Sequence, residues 1–296
     1  MKFIPLFLFF FACQSDIKET KELNNFNTHY EVYGEGTPIL IINGGPGMNS
    51  IGFRGLAKEL GKNHKAIIYD QRGTGGSIVE NPSEDNITLD FMVQDIENLR
   101  KELKIEKWFV LGHSFGGMLG SYYATKHPES IQGLILSASG GMDLKLFDEL
   151  DIRGRLSKED LDSLNYYNQK IDEGDTSFAV RLGRGRHLAP AYLYKKEYVE
   201  QIAIRLTQAK WEINSLVFQN MRKIGFDCNE KLKNFQKPAL IIQGKEDIIP
   251  ISFAERAQKT LPNSKLVLIP ECAHYPWLEQ PGIYFNEINL FISANQ

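Results

Sequence analysis

The segment Trp108 to Lys126, WFVLGHSFGGMLGSYYATK, sets a serine between two glycines in Gly112-His113-Ser114-Phe115-Gly116. Trp108 to Leu111 is a short apolar run suited to a strand buried on both faces, and the Ala/Gly/Tyr-rich stretch after the serine reads as helix. A serine at that junction sits on a sharp turn. Gly112 and Gly116 remove the Cβ atoms that would collide as strand and helix approach, and the hydroxyl is left exposed at a helix N-terminus, where backbone N–H groups favour a developing oxyanion. The chemistry is nucleophilic attack on a carbonyl. The plainer alternative is a glycine-rich turn with an ordinary serine, and the strand, turn and helix context favours the nucleophile.

A serine hydroxyl is barely ionised at neutral pH and needs a base. His274 follows the apolar run Lys265 to Ile269, and Asp247 follows the run Pro238 to Gln243, so both lie just beyond strand ends. In a parallel sheet the carboxyl ends of the strands share one edge, which brings Ser114, Asp247 and His274 together. His274 would take the hydroxyl proton, and Asp247 would fix the tautomer and stabilise the imidazolium. Glu246 is the rival acid; Asp247 is preferred because it directly precedes the apolar Ile248-Ile249-Pro250. His113, beside the serine, is expected to pack or hydrogen-bond locally. The loop Asn43-Gly44-Gly45-Pro46-Gly47, at the end of the run Thr37 to Ile42, allows close backbone approach, so the amides of Gly45 and Phe115 are the expected oxyanion donors. A Gly/Pro turn without chemistry is the alternative for that loop.

Positioning these groups requires strands alternating with helices. Thr28 to Gly34 suits a half-buried strand, and Ala66 to Tyr69 and Gly133 to Ser137 suit buried ones. Ile51 to Leu60 reads as helix, and Leu89, Met92, Val93, Ile96, Leu99 and Leu103 mark one helical face. Asp70 and Arg72 are expected to pair and hold a loop beside the site. The pattern is an α/β fold, a mostly parallel central sheet flanked by helices. The alternation stops from 140 to 232. Ser157 looks like a capping residue opening a helix, Val199 to Met221 reads as one or two more, and no buried strand intervenes. This is a helical cap insertion placed to roof the site, with ornament at the sheet edge as the alternative. The core then divides into 28–139 and 233–296.

The 296 residues are 42% hydrophobic and 24% charged, as in a globular protein large enough for one substantial core. A formal charge of −3 without a long basic run gives no basis for nucleic-acid or anionic-membrane binding. Residues 1–12, Met1-Lys2 followed by the apolar FIPLFLFFFA, read as a signal peptide too short to span a bilayer as a helix. Ending at Cys13, it resembles a bacterial lipoprotein signal in which Cys13 carries the lipid; a plain secretory signal or a buried strand is the alternative. Residues 13–27 are polar and read as a tether. The expectation is an exported protein, anchored on the periplasmic or cell-surface side through Cys13, and otherwise secreted or periplasmic. Cys228 and Cys272 are expected to be free thiols, with a bridge between them as the alternative. No residue pattern calls for a metal or cofactor, and none specifies an oligomeric state.

Four motifs together resemble one family: GGPG at Gly44 to Gly47, DQRGTGGS at Asp70 to Ser77, GHSFGGMLGSYYATKHP at Gly112 to Pro128 and AHYPWLEQP at Ala273 to Pro281. From about Thr28 to Ala294 the chain is similar to the α/β-hydrolases, and within them to the prolyl aminopeptidase (proline iminopeptidase) group. The resemblance implies a Ser-Asp-His triad and a helical cap. It also implies a small peptide or small ester substrate, since related chains include esterases, lactonases and other amidases. The loop opens with Asn43 where the family has His. Family cap glutamates bind a substrate's free α-amine, one of them in a Trp-rich segment ending in Trp-Glu; Trp211-Glu212 matches that end, which makes Glu212 a candidate amine anchor with Trp211 beside it. A solvent-facing helix carboxylate is the alternative. An exported aminopeptidase releasing proline or another small residue leads, a carboxylesterase or lactonase follows, and a non-catalytic binding protein is remote because the triad is whole.

Overall fold

The structure, a computed structural model, describes residues 28–296. The signal segment, Cys13 and the tether lie outside the described residues. Seven strands form one sheet: β1 Tyr30–Tyr33, β2 Pro38–Ile42, β3 Lys65–Tyr69, β4 Trp108–His113, β5 Ile131–Ser137, β6 Ala239–Gly244 and β7 Ser264–Ile269, in the order β1-β3-β2-β4-β5-β6-β7. Among the described residues only β1 runs antiparallel, pairing β3 from Tyr30↔Tyr69 to Tyr33↔Ala66. The solid apolar runs became the central strands, with every residue of β4 and β6 buried, whereas β7, at the sheet edge, is half-exposed.

Alternation along each strand sends Ile39, Ile41, Phe109, Leu111 and Ile242 to one face and Leu40, Ile42, Val110 and Leu136 to the other. Helices cover both faces. On the first lie α1 (Arg54–Leu60) and the C-terminal helix; on the second lie α2 (Leu89–Glu102) and α3 (Phe115–Lys126). Thr88 opens α2 by accepting the Phe91 N–H at 3.2 Å, and Met92, Val93, Ile96 and Leu99 bury the predicted face.

Between β5 and β6 the chain is helical: α4 Leu146–Glu149, α5 Lys158–Asp172, α6 Phe178–Leu188, α7 Val199–Leu206, α8 Trp211–Lys223 and α9 Asn229–Leu232. Among the described residues, the extended pairing in this stretch is an isolated bridge from Asp143 to Asp227. Ser157 does cap α5, accepting Asp160 N–H at 3.1 Å. Val199 to Met221 is two helices because residues 207–210 turn the chain between them. After β6 come α10 (Ile251–Thr260), the single turn α11 (Pro276–Glu279) and the C-terminal α12 (Pro281–Ala294).

The loop after β3 is braced, though through other partners than Asp70 with Arg72. Asp70 accepts from Ser50 N at 2.8 Å, Ser50 Oγ at 2.9 Å and Gly76 N at 2.8 Å. Arg72 reaches instead to α2, its Nε donating to Asp95 Oδ2 at 2.8 Å and its Nη2 to Oδ1 at 2.5 Å. Cys228 and Cys272 are free and buried, and burial pushes both thiols well above their ordinary pKa.

Candidate active site

Ser114 occupies the turn from β4 into α3 with φ 54° and ψ −120°, a conformation a non-glycine residue adopts only where its surroundings force it. Two close approaches do the forcing. A Cβ on Gly112 would lie 2.3 Å from Gly116 O, and one on Gly116 would lie 2.0 Å from Ile42 O, so only glycine lets α3 start against β4 and β2. As the first residue of α3, Phe115 has an amide with no carbonyl one turn back to accept it. That amide and the end of the helix dipole converge beside the serine.

His274 is 3% exposed, and its Nδ1 lies 2.8 Å from Asp247 Oδ1. Facing a carboxylate, Nδ1 carries the proton and leaves Nε2 as the acceptor. Asp247 is itself fixed: Oδ2 accepts Gln243 Nε2 at 2.9 Å, and Oδ1 accepts Ile249 N at 3.3 Å. Glu246 has a different task, its Oε2 accepting the Cys272 amide at 3.0 Å. Ser114 and His274 line the same cavity. Among the described residues no hydrogen bond joins the Ser114 hydroxyl to His274, and catalytic hydrogen bonds of this kind often tighten only in the complex with substrate.

His113 packs, as its sequence position suggests. Its Nδ1 lies 3.1 Å from Ser137 O, and its ring lies 4.6 Å from that of His274 and 4.7 Å from that of Trp277. Burial first, then the charges of His274 and Arg205, hold its pKa well below the ordinary value, so it stays neutral beneath the site.

Gly45 also lines the cavity, in a loop whose φ of +72° at that residue suits glycine. Asn43, where the resembled family has His, is 1% exposed and ties the loop to itself, its Nδ2 donating to Gly44 O at 3.1 Å and Met48 O at 3.0 Å. The cavity is about 150 Å³ and mainly apolar, walled by Met118, Leu146, Leu206, Phe218, Ile248 and Ile249 among others. Arg205 is the one Lys or Arg among its described lining residues, and none of them is Asp or Glu.

Glu212 and Trp211 are not brought to this cavity. The buried stripe of α8 is Ile213, Val217 and Met221, which leaves Glu212 exposed, on the side of Ser215. Trp211, 57% exposed, stacks under the guanidinium of Arg184 at 5.2 Å. Arg205 is a lining residue that the sequence did not single out. Its signal was an arginine three residues after Ile202 and one before Leu206, on the apolar face of an otherwise amphipathic helix.

Among the described residues, no group of three or more His, Cys, Asp or Glu is placed to hold a metal ion.

Residues 37–281 match the family described as alpha/beta hydrolase fold. The chain is 28% identical over 276 residues to a proline iminopeptidase of Heyndrickxia coagulans, covering 90% of this chain and 93% of that protein. Among solved structures it is similar to a meta-cleavage product hydrolase from Pseudomonas fluorescens IP01, with a TM-score of 0.73 at 22% identity over 95% of this chain and 99% of that one. It is similar also to a thermophilic esterase from Thermogutta terrifontis, with a TM-score of 0.71 at 22% identity over 94% and 98% of the two chains. With a family match over most of its length and the mostly parallel sheet that family requires, the chain belongs to the α/β-hydrolase fold family and is a serine hydrolase.

Proposed function

We propose that the protein cleaves a small ester or amide through an acyl-enzyme formed on Ser114. His274 Nε2 takes the hydroxyl proton as Ser114 Oγ attacks the carbonyl, Asp247 stabilises the imidazolium, and the amides of Gly45 and Phe115 receive the oxyanion. His274 then returns the proton to the leaving group. Water, deprotonated by the same imidazole, releases the acid. The observation that carries this reading is the buried His274–Asp247 pair, 2.8 Å apart, opening on the cavity that the strained Ser114 also lines.

The cavity wall favours an uncharged apolar acyl group. Its volume suits a group on the order of a benzene ring or a short alkyl chain. A protonated α-amine buried there would meet apolar side chains and a guanidinium, with no carboxylate to pair it, and that burial is costly. The geometry therefore favours a carboxylesterase. The similarity to a proline iminopeptidase favours a second reading, an aminopeptidase releasing N-terminal proline or another small residue.

Two substrate sets separate them. For p-nitrophenyl esters of straight-chain acids, the first reading predicts that kcat/KM rises with chain length until the cavity is full. It also predicts that N-acetylation of prolyl p-nitroanilide costs little. A loss of about a hundredfold or more on N-acetylation would establish a need for the free amine and the second reading. Because Glu212 is exposed, Glu212→Gln should change kcat/KM less than about twofold on either substrate. A selective loss on the free amine would restore it as the anchor.

We further propose that the protein is exported and lipid-anchored through Cys13, from the charged start, apolar stretch and cysteine of residues 1–13. Metabolic labelling with a fatty acid should mark the wild type and fail to mark Cys13→Ser. Equal labelling of both would refute it.

A further inference from the structure

Arg205 is 5% exposed, and a charged side chain is rarely so buried unless it is paired. Its partners among the described residues are carbonyl oxygens, the Tyr275 hydroxyl and the Phe53 ring, not a carboxylate. Nη2 donates to Gly44 O at 2.9 Å, Nη1 approaches Asn49 O at 3.4 Å, and the guanidinium lies 4.7 Å over the Phe53 ring. Space is reserved for it: a Cβ on Gly52 would come within 2.4 Å of Nη1. Burial lowers its pKa from the usual arginine value, but a guanidinium stays charged.

The carbonyl it grips is half of one rigid unit. Gly44 C=O and Gly45 N–H belong to the same planar peptide, so fixing the first fixes the direction of the second. A cationic donor on the carbonyl also polarises the peptide and makes its N–H a better donor. Two more cap groups hold the same loop: Lys210 N donates to Gly47 O and Asn214 Nδ2 to Pro46 O, each at 2.9 Å.

We infer that Arg205 is a positioning residue through which the cap builds the oxyanion hole, by orienting and polarising the Gly44–Gly45 peptide. The inference rests on the reading of Ser114 as nucleophile and Gly45 N–H as oxyanion donor. The cap is then part of the catalytic apparatus as well as a roof, and the interaction gains value only when negative charge develops on the substrate oxygen.

The test compares wild type, Arg205→Ala and Arg205→Lys in ester hydrolysis and in covalent labelling of Ser114 by a small fluorophosphonate, with thermal unfolding as a control on folding. For Arg205→Ala, kcat should fall by about ten- to a hundredfold, less than the full loss of an oxyanion donor because the Gly45 amide remains. KM should move less than about threefold, because uniform binding is not what Arg205 supplies. The labelling rate should fall with kcat, and methylguanidinium should restore part of both. Arg205→Lys, which donates to the carbonyl without the fork, should be intermediate, and it decides the matter if the alanine variant does not fold. An unchanged kcat in a folded variant, or a loss carried by KM alone, would overturn the proposal and make Arg205 a packing or substrate-contact residue. A wild type that neither hydrolyses esters nor takes the label at Ser114 would instead sink the nucleophile reading beneath it.

Discussion

Ser114→Ala should lower kcat by about 10⁴ to 10⁶, and His274→Ala by a similar factor. Without the hydroxyl there is no acyl-enzyme. Without the imidazole the hydroxyl keeps its proton at neutral pH. Because the two act as one unit, the double variant should be scarcely worse than either single one; a product of the two losses would mean independent roles. Folding should survive, since Ser114 carries backbone strain that alanine does not increase and its hydroxyl makes no hydrogen bond among the described residues. Initial rates on the best ester, with thermal melts alongside, check both points. Near-normal turnover by Ser114→Ala would mean that another group attacks the substrate.

Asp247→Asn is the second large effect, about 10⁴ in kcat with a near-normal melt. The amide fits the same space. It can still face Gln243 and the Ile249 amide, but its neutral oxygen or NH2 toward His274 Nδ1 no longer favours the tautomer that leaves Nε2 free, nor stabilises the imidazolium. Glu246→Gln should be far milder, because Glu246 braces the Cys272 amide and does not touch His274. If Glu246→Gln proved the more damaging of the two, the acid would have been assigned to the wrong neighbour.

The parts of the site that were legible in the sequence are those whose causes are local. The elbow needs two glycines at fixed offsets from the serine, and the close approaches at Gly112 and Gly116 are the collisions that spacing avoids. Asp247 and His274 were legible because a buried parallel strand announces its own end, and all such ends share one edge. Illegible features depend on helix phase or on pairing across the fold. The Trp211-Glu212 pair carried a family resemblance, but the burial of Ile213, Val217 and Met221 decides which way α8 faces, and it turns Glu212 outward. Arg72 pairs with Asp95, 23 residues away on α2, rather than with the nearby Asp70. Glu279 shows the same limit. Wholly buried on α11, it accepts the amides of Tyr194 and Lys195 from the cap at 2.6 and 2.7 Å and that of Ala273 at 2.7 Å, clamping the cap to the loop that carries His274. Nothing in PWLEQP foretells those partners.

Activation of Ser114 as a nucleophile by His274 underlies all of this chemistry. A fluorophosphonate probe followed by peptide mass mapping tests it without knowledge of the natural substrate. One adduct is expected, on the peptide bearing Ser114, formed quickly by the wild type, slowed by orders of magnitude in His274→Ala and absent from Ser114→Ala. An adduct on a different residue, or labelling of Ser114 at the same rate with and without His274, would contradict it.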